Sequence, residues 1–208
     1  MPSPARGLTQ TQRVEISNRR LIEAAAALIA EKGWEATTAA EIGRRAGYSR
    51  AMVHARYGSK DAILDAFFLD DQIQRLSPDA DPTSVGLDEA MGHFDRVTAL
   101  YTQDHDFLRA LFVATFEAVK TTSPLRGRVR ALLDRGIGKV DAGLRRGVHD
   151  GSVRAGVDIA RATNDISSAI FGCAYLWTVL GDRYDLGREL IFVRARLVRE
   201  YGASQTPR

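Results

Sequence analysis

Apolar residues recur along this 208-residue chain at three- and four-residue intervals, and no stretch shows the alternation of a half-buried strand. The pattern predicts an all-α protein of about nine helices. Leu21, Ile22, Ala25, Leu28 and Ile29 form the inward stripe of a first helix, capped by Ser17 and stopped at Gly33. Two short helices follow, Ala39 to Ala46 and Arg50 to about Tyr57. A fourth, from Lys60, carries Ile63, Leu64, Phe67, Phe68 and Ile73 and runs to about Leu76, where Ser77 to Pro82 reads as a loop. Beyond Ser84, Leu87, Met91, Phe94, Thr98 and Tyr101 line one helix. Leu108, Leu111, Phe112, Thr115, Phe116 and Val119, behind an Asp106 cap, line the next. Val129, Leu132, Leu133, Ile137, Val140, Leu144 and Val148 line a third, which opens at Ser123-Pro124. The last two helices span about Ile159 to Leu180 and Leu186 to about Tyr201, with Gly181 and Gly202 at their ends and Asp185 as a cap.

The punctuation divides the chain into a polar, disordered tail over residues 1–16, a small helical unit over 17–76 and a larger one over 83–202. Arg6 and Arg13 read as part of the solvated tail. The densest local signals fall between Thr37 and Asp61. Thr38 followed by Glu41 is a capping box, in which each side chain satisfies a backbone N–H of the other's end of the turn. Gly47 suits a left-handed helix end, and Ser49 is placed to cap the following helix. Two short helices joined by a glycine-containing turn form a helix-turn-helix unit.

Charge changes the picture next. From Ile42 to Lys60 there are five cations (Arg44, Arg45, Arg50, Arg56 and Lys60) and no acid, while the whole chain nets only +3, so the remainder nets 3 − 5 = −2. A basic window in an otherwise acidic chain is the footprint expected for a polyanion. Val53 and Tyr57 pack inward, which turns Arg50, Ala51, His54 and Ala55 outward, with Met52 and Arg56 at the edges. That face suits a major groove. Lys60, at the start of a helix whose N–H groups favour an anion, completes a phosphate site. A structural three-helix cluster with a solvated basic face is the alternative.

From Asn18 to Phe68 the chain resembles the DNA-binding domain of the TetR family of transcriptional regulators. The resemblance rests on the alanine-rich first helix, Glu31-Lys32-Gly33-Trp34, Thr37-Thr38, Ala46-Gly47-Tyr48-Ser49 and Tyr57-Gly58-Ser59-Lys60. It implies that Thr38, Arg50, Met52, His54, Arg56 and Lys60 face DNA, and Arg44, Arg45, Tyr48, Ser49 and Ala51 complete the candidate surface. His54 stands where the family usually has tyrosine, and Ala55 where a larger residue is common, so the operator sequence does not carry over. The resemblance also implies a ligand cavity in the second unit. Met91, Phe94, Tyr101, Phe112, Phe116, Tyr175 and Trp177 are its candidate lining, with His93, His105 and Thr115 as polar partners. Trp34 reads as a core plug.

The last two helices carry apolar surface on more than one side. Ile166, Ala169, Ile170, Cys173, Leu190, Val193 and Leu197 are the candidate interface of a homodimer built as a four-helix bundle, the alternative being packing within the chain. Two reading helices about 34 Å apart would then meet a two-fold operator on double-stranded DNA. The expectation is a cytoplasmic repressor released by an apolar small molecule. A regulator without a ligand and an all-α enzyme are the alternatives. Nothing calls for a catalytic residue, a metal, a cofactor or a membrane: the four histidines are scattered, and no Glu-x-x-His pairing suits a di-iron bundle. The single cysteine excludes an internal disulfide, and the opening residues lack the apolar core of a secretory leader. Gly136, Gly138, Gly143 and Gly147, in one helix, predict either a break or a close approach by another backbone.

Overall fold

The structure is a computed structural model that describes residues 9–69, 73, 76 and 83–203. Nine α-helices form among the described residues: α1 Gln10–Lys32, α2 Ala39–Arg45, α3 Arg50–Tyr57, α4 Lys60–Phe68, α5 Gly86–Gln103, α6 His105–Glu117, α7 Arg126–Asp150, α8 Ile159–Leu180 and α9 Leu186–Tyr201. The predicted loop Ser77 to Pro82 and residue Arg6 lie outside the described residues, as does most of the predicted extension of α4 towards Leu76.

α1 packs on α2 and α4, and its long axis also lies along α6. In the larger unit α5 crosses α7, α8 rests on α7 and α6, and α9 closes against α5 and α8. Buried apolar side chains run continuously from Leu21 and Ile29 through Phe67 and Phe107 to Leu144, Trp177 and Leu197. Phe67 of α4 meets Phe107 of α6 with ring centroids 5.2 Å apart, so the two units share one core.

Three boundaries differ from expectation, two because another polar side chain takes the cap and one because the expected cap closes a turn instead. α1 begins at Gln10, since Thr9 and Gln12 form a reciprocal capping box. Residues 10–16, predicted as tail, are therefore helical, and Ser17 lies buried inside the helix with its hydroxyl donating to Val14 O. Asp104, not Asp106, caps α6 by accepting the Phe107 N–H at 3.0 Å. Ser123 and Pro124 belong to a turn in which Ser123 accepts from Leu125 and Arg126, so α7 starts at Arg126.

The glycines of α7 mark a close approach, not a break. A Cβ on Gly143 would lie 2.6 Å from Ala90 N, and one on Gly147 would meet Leu87 N at 3.1 Å, with Gly86 facing both from α5. Helix axes carrying larger side chains normally stay 8–10 Å apart; removing the side chains lets these two backbones touch. Gly138 has open space around it, and nothing in the structure explains it.

Candidate functional site

The reading unit is assembled by local hydrogen bonds. Thr38 Oγ1 accepts the Glu41 N–H at 3.3 Å and Glu41 Oε2 accepts the Thr38 N–H at 3.0 Å. Lys32 reaches the other oxygen of Glu41 at 2.6 Å. The Lys32 and Thr38 hydrogen bonds hold the Glu41 carboxyl down at about 2, against 4.5 ordinarily. Gly47, at φ +79°, then reverses the chain, and the Tyr48 N–H closes the turn on Gly43 O at 2.7 Å. Ser49 accepts the Met52 N–H at 3.2 Å and starts α3.

α3 points as its sequence predicts. Val53 is fully buried, while Arg50, Ala51, His54 and Ala55 are exposed, with Met52, Arg56 and Tyr57 half-buried. Arg50, Ala51 and His54 share one shallow groove with Ala39 at the start of α2 and with Ser59 and Lys60 at the start of α4. Residues from the first turns of three helices thus meet at one groove. Thr38 and Arg44 are exposed and Tyr48 is half-buried. Arg45 is drawn away: it pairs with Glu31 at 2.5 Å and lines a separate groove between α1 and Gly47.

Lys60 is more constrained than expected of a phosphate contact. Its ammonium donates to Trp34 O at 2.7 Å and lies 4.3 Å from the centroid of the Trp34 ring. Burial lowers its pKa, opposed by Asp61, Glu117 and Glu35. An ammonium has three donors, so two remain after the Trp34 bond. Trp34 itself is buried, as the core-plug reading has it.

The larger unit holds a cavity between α5, α6, α7 and α8, lined among others by Val97, Leu111, Leu133, Val140, Ile170 and Phe171. Its volume is about 90 Å³. Polar side chains on its wall are His93, Thr115 and Ser167, and none of its lining residues is a carboxylate, lysine or arginine. Thr115 Oγ1 is satisfied by Leu111 O at 2.8 Å, whereas Ser167 Oγ is buried with no partner among the described residues. Burial, and then the positive charges of Arg96 and Lys139, hold His93 down at about 4, so it is neutral in the fold.

Of the expected lining, Phe112 and Thr115 reach this cavity, as does His93. Met91 and Phe94 are buried elsewhere in the core. Tyr101, His105 and Trp177 instead pack on one another, tilted or edge-on, at 5.1 Å and 4.9 Å between neighbouring ring centroids. Phe116 packs edge-on against Tyr175, which is 54% exposed. The wall is aliphatic more than aromatic, and its glycine, Gly136, supplies space where the Cβ of a larger residue would approach His93. Leu132, Leu133, Ile137 and Val140 lie on the apolar stripe of α7 and line the cavity, a role that spacing alone does not distinguish from a packed contact.

The candidate dimer stripe needs correction. Ile166, Leu190 and Leu197 are fully buried, and Ile170 and Cys173 nearly so, with Ala169 and Val193 half-buried against the same core. These residues pack α8 and α9 within the chain. The opposite faces hold the uncovered apolar surface: Tyr175, Leu176 and Val179 on α8, and Ile191 and Phe192 on α9. Each of the five is more than two-fifths exposed.

Residues 21–67 match the family of bacterial regulatory proteins, tetR family. The fatty acid metabolism regulator protein of Bacillus subtilis (strain 168) is 22% identical over 170 residues, spanning 80% of this chain and 86% of that protein. Among solved structures, the regulator FadR of Bacillus subtilis in complex with stearoyl-CoA superposes with a TM-score of 0.71 at 22% identity, covering 86% of this chain and 97% of that one. The complex of SmeT with triclosan gives 0.73 at 21% identity, covering 91% and 93%. SmeT is the repressor of a Stenotrophomonas maltophilia multidrug efflux pump.

Proposed function

We propose, from the match of residues 21–67 to the tetR family of bacterial regulatory proteins, that this chain is a homodimeric, ligand-released repressor that reads DNA with α3. One observation carries the DNA reading: the exposed side of α3, free of acids, shares its groove with the capped first turns of α2 and α4. Arg50 and His54 reach base edges, while Lys60 and the helix N-termini hold phosphates and so fix the register.

A second copy supplies the other half-site. The exposed apolar residues of α8 and α9 offer it large uncovered hydrophobic side chains on both helices. Pairing two copies through it gives the bundle geometry and holds the α3 helices a helical turn apart.

The cavity supports the release step. Its wall takes an uncharged, mainly apolar molecule with one hydrogen-bonding group for Ser167. An engineered cavity of about 150 Å³ just holds benzene, so a ligand of drug size must displace α6 or α7 to enter. That displacement couples binding to shape: a ligand preferring the displaced form by on the order of 5 kcal/mol converts a mostly bound repressor to a mostly free one. The small volume also favours a second reading, a regulator that answers to no small molecule.

The test is fluorescence anisotropy with a random-sequence duplex pool in rising salt, before and after adding triclosan or stearoyl-CoA. Binding that weakens steeply with salt supports the DNA reading, and release by either compound supports the ligand step. Binding that neither compound disturbs, across a panel of apolar molecules, leaves the regulator without its ligand.

A further inference from the structure

The DNA-facing lysine and the helix that walls the cavity are joined through the backbone of a single residue, Trp34. Trp34 donates its backbone N–H to Glu117 Oε2 at 2.6 Å and accepts at its carbonyl from Lys60 at 2.7 Å. Glu117 is the last residue of α6, two positions beyond the cavity residue Thr115. Lys60 is the first residue of α4 and lines the groove of α3. The carboxylate fits because Gly33, at φ +80°, leaves the space it occupies: a Cβ there would overlap Glu117. The indole Nε1 of Trp34 has no acceptor among the described residues, so its backbone bonds and its packing set its place. Lys120 pairs with Glu35 at 2.7 Å alongside, but both are exposed, and a surface pair of that kind contributes little.

We propose that Glu117 is a positioning residue for DNA binding: from the cavity unit it fixes the backbone of Trp34, and through it the phosphate-contacting ammonium of Lys60. The proposal rests on the DNA reading given above and adds its regulation. When α6 shifts to admit a ligand, Glu117 carries the Trp34 backbone with it and Lys60 leaves its register. The path is short, because the two hydrogen bonds sit on the N–H and the C=O of one residue whose side chain is buried.

Full-length variants decide this, with anisotropy read on a duplex recovered from a random pool by the wild-type protein. Glu117→Ala should fold, by circular dichroism, yet bind about tenfold more weakly, with a salt slope reduced by about one. Glu117→Gln keeps an oxygen for the Trp34 N–H and should stay close to wild type. Glu117→Asp keeps the charge but falls a methylene short, and should bind like the alanine variant; it decides the matter if the alanine variant does not fold. Lys60→Ala should match Glu117→Ala, and the double variant should be no weaker than Lys60→Ala alone, because the two act as a unit. Lys120→Ala should change nothing. Wild-type affinity and slope in folded Glu117→Ala or Glu117→Asp overturn the proposal alone, as do losses that add fully in the double variant. A wild-type protein that recovers no duplex overturns the DNA reading, and this proposal with it.

Discussion

The reading unit and the cavity unit are held together by different means. α2, α3 and α4 are 7 to 9 residues long, too short to persist alone in water. Each is started by a hydroxyl cap, and the first is braced by Lys32 on Glu41. α5 to α9 run from 13 to 25 residues and rely on buried apolar faces and on glycines that bring α5 and α7 into backbone contact. The contrast teaches where each unit yields. The first keeps its outward side for a partner and loses order one hydrogen bond at a time. The second is sensitive to volume, whether removed from its core or inserted into its cavity.

The sharpest way to break that contrast is a core truncation. Phe94→Ala, at a side chain 1% exposed, should cost about 3–5 kcal/mol in denaturant unfolding. A loss below about 1 kcal/mol would mean the bundle does not depend on packing as described. Acid separates the units by pH. His93 has a folded pKa of about 4, below its ordinary 6.5, so its neutral form favours the fold. Its contribution is complete above pH 6.5 and declines as pH falls towards 4, by up to about 3 kcal/mol. Glu41, held at about 2 against 4.5, stabilises its ionised form, so its contribution persists down to pH 4.5 and is lost only below that. Stability measured from pH 7 to 4 should therefore fall in the wild type and stay flatter in His93→Gln. Equal pH dependence in the two proteins would remove His93 from the account. The smallest effect belongs to the cap. Thr38→Ala should cost about 1 kcal/mol and appear as faster hydrogen exchange confined to α2 and the turn. Exchange that accelerates equally in α7 and α8 would show that the units are not separable.

Much of the reading unit was legible in the residues because its determinants are local. Thr38, Ser49 and Gly47 each act within four residues of themselves, and the structure puts all three where spacing puts them. Thr9 was missed for the opposite reason: with Gln12 it makes the same motif, but in front of a polar stretch with no apolar period to announce a helix. The cavity and the pairing face depend on which buried stripe meets which, and an apolar period does not say. Ile166 and Leu197 have the spacing of an interface yet pack inside the chain, while Ile191 and Phe192, off the main stripe, are the ones left uncovered. Trp177 and Tyr101, candidates for the cavity wall, pack edge-on against each other instead, because aromatic rings find one another at least as readily as they line a space.

The central claim is that the acid-free face of α3 reads DNA in two copies held by the apolar faces of α8 and α9. Sequencing the duplexes that the wild-type protein selects from a random pool tests it most directly. The account predicts an inverted repeat whose half-sites lie about one helical turn apart, recovered by the wild type and not by a variant carrying Phe192→Glu. Recovery of no enriched sequence in dilute salt, or of a single unrepeated half-site, would contradict it.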